Sequence, residues 1–349
     1  MREGANVHRY GGKPGGAVTT PVLMVSGAES GLEAWNTLAG RFAGDGFRYL
    51  YGRVLAGDDA PPAALAQAVD DVLAEVGASW LILAAHGEAC AHSLHYIESE
   101  GGYEKARLFI GLDGRYPVNA LSYLEGSLLH RFDEDHPSRT AATLPAAAPP
   151  APPRSMALVN QFVAINLYGQ AHTSIFQEGT RPVLPLPEAI NVGLHLHPSQ
   201  IMQSPAVFEH LRGYLRNGFW VVQLHLSSFR MRKAAPDAPV GWFYFEVDGQ
   251  RVPPDGAFAP PDQSTYTFEH FTPLGTVAIP LTKAAADINF RLREVGRAAA
   301  KRRMFTTLHA PLAHGKVSDH VMQDSFGSEI RLRVHCIRAP QVMRTDHDH

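Results

Sequence analysis

The chain has 349 residues, of which 45% are hydrophobic and 19% are charged, and its formal net charge at pH 7 is -3. This composition is typical of a globular protein with a sizeable core, and the length favours two domains. The small net charge offers no broad attraction for nucleic acid or for an anionic membrane surface. No run of about 18 apolar residues occurs, so we expect no transmembrane segment.

The first part of the chain alternates short apolar runs with helical patterns. Apolar runs without polar alternation predict buried strands, and the helices between them predict a mostly parallel sheet covered on both faces. The predicted strands span 22–25, 47–51, 80–84, 108–112, 162–167 and 190–196. The predicted helices span 32–42, 65–76, 89–100 and 204–215.

Residues 115–157 interrupt this alternation. They contain an acidic, histidine-bearing stretch and then the Pro/Ala-rich segment TLPAAAPPAPPRS at 143–155. Proline cannot continue a helix or donate to a strand ladder, so we interpret 115–157 as a lid or linker inserted into the first domain.

After Asn217-Gly218 the apolar pattern changes to a period of two. This alternation predicts a second domain over 217–349, built as an antiparallel β-sandwich, and a first domain over 1–216. The candidate strands are 220–226, 242–247, 264–270, 275–281, 286–292, 303–309, 316–323 and 330–336.

The two cysteines, Cys90 and Cys336, fall in different predicted domains, which favours free thiols and a reducing compartment. The N-terminal residues are polar and glycine-rich and lack the apolar core of a signal peptide. Together these features predict a cytoplasmic protein.

Four stretches between residues 21 and 215 resemble the bacterial triacylglycerol lipases of the α/β-hydrolase superfamily. They are PVLMVSGAESGLEAWNTLAGRF, LILAAHGEACAHSLHYIESEGGYEKA, FVAINLYGQAHTSI and NVGLHLHPSQIMQSPAVFEHL. The resemblance covers more than half of the chain and implies an α/β-hydrolase-like fold ahead of the β-sandwich.

The resemblance also locates the positions of a catalytic triad. In that family a serine on a tight strand-to-helix turn is activated by a histidine, which an acid orients. Here the nucleophile position is Gly87, the acid position is His172 and the histidine position is Pro198, with His197 one residue away. The resemblance therefore implies a degenerate triad, and loss of the serine alone typically lowers kcat by roughly 10⁶.

The same resemblance implies a pocket around the positions that form the active site in that family. Gly27 and Ala28 correspond to the oxyanion loop, and His86 and Glu88 flank the nucleophile position. We expect the backbone N–H groups of Ala28 and Glu88 to point into this pocket.

Two functions follow as hypotheses. The first is a pseudo-hydrolase that binds a hydrophobic or acyl ligand, or a protein partner, without hydrolysis. The alternative is an enzyme that uses the pocket for non-triad chemistry, such as a cyclisation, an addition or a lyase step, with a histidine moving a proton. We expect no cofactor and no metal, although the spacing of His195 and His197 on one face of a predicted strand would suit a metal ion. A homo-oligomer is compatible with the sequence.

Overall fold

The computed structural model describes residues 7–55, 62–99, 101–117, 162–169, 180–182, 184, 189–230, 232, 243–252, 265–294, 301–339 and 342. By its internal contacts the chain divides into two compact units. Among the described residues, the first unit runs from 7 to 219 and includes Ala339 and Val342, and the second runs from 220 to 338.

The first unit contains strands and helices in alternation. Its strands are β1 (His8–Arg9), β2 (Val22–Gly27), β3 (Leu50–Leu55), β4 (Leu81–His86), β5 (Ala106–Leu112), β6 (Tyr116–Pro117), β7 (Val163–Gly169), β8 (Thr180–Arg181) and β9 (Ala189–Leu194). Its helices are α1 (Asn36–Gly44), α2 (Pro62–Val76), α3 (Ala89–Ser99) and α4 (Pro205–Asn217). Short 3₁₀ turns cover Leu32–Trp35, Gly102–Glu104 and Pro198–Gln200.

Seven of these strands form one sheet in the order β1-β3-β2-β4-β5-β7-β9. All neighbours are parallel except the edge strand β1, which runs antiparallel to β3. From β2 the chain moves outward to β3 and then returns to β4 on the other side of β2. The direction of winding therefore reverses between β2 and β4, and ligands of such sheets bind outside the carboxyl ends of the strands at this point.

Helices cover both faces of the sheet because alternate strand residues point to opposite sides. Leu23, Val25, Leu81 and Leu83 share one buried cluster with apolar side chains of α2 and α3. The intervening strand residues face the other side, where α1 and α4 meet through the rings of Phe42 and Phe208, whose centroids are 5.8 Å apart. The strand predicted at 47–51 lies later than expected, at Leu50–Leu55, while Phe47 makes an isolated bridge with Val18.

The second unit consists of antiparallel strands. They are β10 (Phe219–Arg230), β11 (Phe243–Val247), β12 (Gln250–Val252), β13 (Thr265–Pro280), β14 (Ala285–Glu294), β15 (Lys301–Pro311), β16 (Lys316–Gln323) and β17 (Glu329–Arg338). Two four-stranded sheets result, in the orders β13-β10-β17-β16 and β12-β11-β14-β15. Alternate residues of both sheets share one core, which includes Phe229, Phe245 and Phe290. The predicted fold class, a mostly parallel helix-flanked sheet followed by antiparallel β-structure, is confirmed.

One prediction about the second unit is wrong. The stretches 264–270 and 275–281 were expected to form two strands. They form the single strand β13 instead. In the sheet order β13 is an edge strand, a position that tolerates proline better than a central strand does.

Several predictions fall outside the described residues. Of the expected lid or linker at 115–157, only 115–117 are described, so the Pro/Ala-rich segment at 143–155 lies outside them. The domain boundary at 216 and 217 stays a prediction. Within the described part of the chain, no helix has both the length and the hydropathy needed to cross a bilayer.

Candidate functional site

The turn between β4 and α3 has the sharp geometry of a strand-to-helix elbow, with Gly87 at its apex. Gly87 has φ +60°, in the left-handed region that favours glycine. Its N–H donates to the carbonyl of Leu112 at 3.1 Å, and its own carbonyl accepts from the N–H of Cys90 at 3.2 Å. Among the described residues, no atom would lie within 4 Å of a Cβ built on Gly87. The elbow thus presents bare backbone to open space.

A crevice of about 470 Å³ opens beside this elbow, at the carboxyl ends of β2 and β4 where the sheet reverses its winding. Its described walls include six of the eight site residues expected from the sequence, namely Gly27, His86, Gly87, Glu88, His197 and Pro198. Ala28 is exposed on the turn after β2 and is not among these walls. His172 lies outside the described residues.

Sequence reasoning missed the rest of the described walls. They come from three places: the turn after β2 with the start of α1, the segment after β5, and the segment after β9. The residues are Glu29, Ser30, Glu33, Ala34, Thr37, Asp113, Arg115, Ser199, Met202 and Gln203. Asp113 and Arg115 directly follow a predicted parallel strand, and that position alone signals a place in the crevice.

Asp113 is held in a conformation that few residues adopt. Its φ is +49°, a left-handed value that aspartate and asparagine tolerate better than most side chains. Burial raises the pKa of its carboxyl, while the charges of Arg115 and His197 and a hydrogen bond from the backbone of Gly169 lower it. Its Oδ1 is enclosed and has no hydrogen-bond partner among the described residues. Backbone strain and an enclosed, unpaired oxygen therefore coincide at this residue.

His86, the last residue of β4, is held neutral at pH 7. Burial and, to a smaller extent, the nearby charge of Arg115 together lower the pKa of its ring to about 4. Its Nδ1 is enclosed without a hydrogen-bond partner in the described part of the chain. The ring therefore adds polarity to the crevice but no charge.

His197 caps the short turn Pro198–Gln200. Its Nδ1 accepts from the N–H of Ser199 at 3.3 Å and lies 2.8 Å from the Ser199 hydroxyl oxygen. Its own N–H donates to Oε1 of Gln200 at 3.2 Å. An Nδ1 that accepts leaves the proton of the neutral ring on Nε2. In a serine hydrolase the corresponding Nδ1 instead donates its proton to the acid.

The expected pairing of His195 with His197 on one strand face is wrong. Strand β9 ends at Leu194, so neither histidine belongs to it. The chain turns there because Pro198 starts a 3₁₀ turn and His197 becomes its N-cap. Among the described residues, no group of three or more His, Cys, Asp or Glu side chains is arranged to hold a metal ion.

Glu88 and Arg115 face each other across the elbow. Oε1 of Glu88 lies 3.8 Å from the Arg115 guanidinium, and both side chains are partly exposed. Cys90, two residues further along α3, is fully buried, and burial raises the pKa of its thiol to about 12. That thiol therefore stays protonated at neutral pH and is a poor nucleophile.

Comparisons with known proteins find similar structures at low sequence identity. An epoxide hydrolase mutant from Bacillus megaterium matches with a TM-score of 0.40 at 12% identity, over 60% of this chain and 96% of that one. A thioesterase domain from the curacin biosynthetic pathway matches with a TM-score of 0.33 at 16% identity, over 58% of this chain and 92% of that one. No family model and no curated protein matches.

The human GIVD cytosolic phospholipase A2 matches with a TM-score of 0.25 at 8% identity, over 35% of this chain. The matched part spans 17% of that phospholipase's own length. Identities and TM-scores this low assign no activity. The chain's own strand order, its helices on both faces and its elbow define an α/β-hydrolase-like unit.

Proposed function

We propose that this protein is a pseudo-hydrolase, in which an α/β-hydrolase-like unit binds a small molecule in the elbow crevice and does not hydrolyse esters through a serine. The observation that carries the proposal is Gly87. It stands at the apex of the elbow, in a left-handed conformation, and directs only backbone toward open space. A residue without a side chain cannot attack a carbonyl.

The state of His197 supports the same proposal. A general base needs a free nitrogen lone pair directed at the nucleophile and a partner that orients the ring. In His197 the Nδ1 accepts from the N–H of Ser199, whereas in a working triad it would donate to the acid. The absence of a side chain at Gly87 and the engagement of Nδ1 of His197 by Ser199 together support the absence of serine-type hydrolysis.

The described walls favour a polar ligand over the hydrophobic or acyl ligand expected from the sequence. A pocket for an acyl chain is lined mainly by apolar side chains. Here the apolar side chains among the described walls are Ala34, Pro198 and Met202, and the rest, apart from two glycines, are polar or charged. A protein partner, the other binding role considered, would dock outside the crevice.

A second candidate function is proton transfer in the same crevice, without a protein nucleophile. Asp113 and His197 both line it, and their charges interact. Asp113 also carries backbone strain, which often marks functional positions. A substrate that brings its own nucleophile would need only such an acid–base pair for an addition or a cyclisation.

The first test is ester hydrolysis. Purified protein should hydrolyse p-nitrophenyl acetate, butyrate and laurate no faster than buffer. Turnover that co-elutes with the protein through affinity and size-exclusion steps would contradict the proposal.

The second test is occupancy of the crevice. Native mass spectrometry of protein purified from its own host should show a bound small molecule, and Gly87→Trp should remove it. Gly40→Trp, on the exposed surface of α1, is the control and should retain the ligand. Circular dichroism of both variants checks that the fold is preserved. If both variants keep the ligand, the binding site is elsewhere.

A further inference from the structure

The described walls of the crevice carry an excess of negative charge. Four carboxyl groups line it, those of Glu29, Glu33, Glu88 and Asp113, and they are opposed by the Arg115 guanidinium and by the ring of His197. The neutral ring of His86 adds no positive charge at pH 7. A ligand in this crevice therefore contacts mainly hydrogen-bond acceptors and negatively charged groups among the described walls.

The single guanidinium is already engaged. Arg115 lies 3.8 Å from Glu88, and its charge also acts on Asp113. Glu29 and Glu33 have no ion-pair partner among the described residues. An anionic ligand would have to compete with Glu88 for Arg115 and approach the remaining carboxyl groups.

The carboxyl groups that line the crevice differ in how deeply they are buried. Glu29 and Glu33 are exposed, whereas Asp113 is half-buried. Negative charge along the walls of a cleft focuses the field and raises the local concentration of cations. Charge pairs are also stronger where water is partly excluded. This arrangement suits a positively charged group that enters past Glu29 and Glu33 and rests near Asp113.

We propose that the elbow crevice binds a small organic cation, such as a protonated amine, with Asp113 as its innermost anionic contact. This inference rests on the proposed function and names the class of ligand. The volume of about 470 Å³ lies within the range of small-molecule sites, which is roughly 300–1,000 Å³. A bare metal ion fits less well, because the described residues hold no cluster of three suitable ligands.

The test compares three probes of equal chain length by isothermal titration calorimetry of the full chain. They are n-butylammonium, n-butyrate and n-butanol, which differ only in charge and head group. We expect binding of n-butylammonium alone. Its affinity should fall as sodium chloride is raised, because salt screens the interaction with the partly exposed carboxyl groups.

Two variants and a control locate the site. Asp113→Asn keeps the shape of the side chain and tolerates the left-handed backbone, so the fold should survive. It should weaken n-butylammonium binding about tenfold. The double variant Glu29→Gln/Glu33→Gln alters only exposed side chains and should weaken binding severalfold. Glu104→Gln, also exposed but not among the described walls, should bind as the unmodified protein does.

The proposal is overturned if n-butylammonium fails to bind, if n-butyrate binds as tightly, or if both carboxylate variants bind n-butylammonium unchanged. None of these outcomes affects the pseudo-hydrolase proposal, which fails only on ester turnover or on a binding site elsewhere. Conversely, ester turnover together with n-butylammonium binding would overturn the pseudo-hydrolase proposal and leave the charge selectivity of the crevice standing.

Discussion

The backbone N–H of Arg115 donates a hydrogen bond to the carbonyl oxygen of Gly87, with 3.3 Å between N and O. This hydrogen bond connects the segment that follows β5 to the apex of the elbow. The backbone at Gly87 is therefore held by its neighbours, and substitutions there report mainly on the added side chain.

Restoring a serine at the elbow should not restore hydrolysis. Gly87→Ser should leave the turnover of p-nitrophenyl acetate within about tenfold of that of Gly87→Ala, because Nδ1 of His197 accepts from the N–H of Ser199 rather than donating to an acid. Removing the serine from a working triad lowers kcat roughly 10⁶-fold. Restoring a complete triad would therefore produce a large and easily measured rise in turnover. A rise of several hundredfold in Gly87→Ser would show that the base and its partner persist.

Gly87→Ala should lower the free energy of unfolding by about 1–2 kcal/mol, the cost of a left-handed conformation for a residue with a Cβ. In the described part of the chain no atom lies within 4 Å of the added methyl group, so packing contributes little. Gly87→Asn should cost less, since asparagine tolerates this region. Urea unfolding measures both. Gly40→Ala in helix α1 is the matched control and should stabilise by about 0.5–1 kcal/mol. Equal effects at positions 87 and 40 would exclude the left-handed elbow.

Gly169→Ala should disturb the segment that carries His197. A Cβ at Gly169 would lie 2.6 Å from the carbonyl oxygen of Leu196 and 2.9 Å from the nitrogen of Pro198, so the backbone there must move. We expect a loss of about 1–3 kcal/mol, typical of overpacking, and displaced amide resonances around His197 in NMR spectra. Gly213→Ala, in helix α4 with open space around it, is the control. If Gly169→Ala matches the control in stability and spectrum, the close approach is wrong.

The buried ring of His86 should make the protein less stable in mild acid. Its pKa is about 4 in the folded state and about 6.5 when unfolded. Between these values the unfolded chain binds a proton that the folded protein does not, so stability falls as pH drops from about 6.5 to about 4 and then levels off. From pH 7 to pH 5 this contribution amounts to at most about 2 kcal/mol.

His86→Gln isolates that contribution. Asp113 and Glu98, whose pKa values are raised by burial, act in the opposite direction as pH falls, because the folded state binds their protons more readily. Urea unfolding of the unmodified protein and of His86→Gln at pH 7 and pH 5 therefore compares the two pH slopes. A variant that loses as much stability as the unmodified protein would show that His86 titrates normally.

Limited proteolysis should test the organisation of the chain. We expect the first cuts in the Pro/Ala-rich stretch 143–155 and slower cuts near residue 217, because extended proline-rich segments carry few backbone hydrogen bonds. Mass spectrometry of the fragments identifies the sites. Protection of 143–155 under conditions that cut elsewhere would contradict its interpretation as a lid or linker.

Much of the fold was predictable from local patterns. Apolar runs such as those at 81–84 and 108–112 become buried parallel strands because a strand covered on both faces needs apolar side chains on both. The period of two after Asn217 becomes antiparallel sheets because one face of each strand enters the core. The single strand β13 was predicted as two strands, and its place at the edge of a sheet depends on neighbours far away in the sequence.

The sequence by itself determined that position 87 offers no side chain, because a glycine has none in any fold. Only the tertiary structure decided what surrounds it. Glu33 follows β2, whereas Asp113 and Arg115 follow β5, and they meet because the carboxyl ends of parallel strands share one edge of the sheet. The polarity of the crevice and the low pKa of His86 both depend on this convergence. Burial and charge pairing arise between residues that are distant in the sequence, so no local pattern contains them.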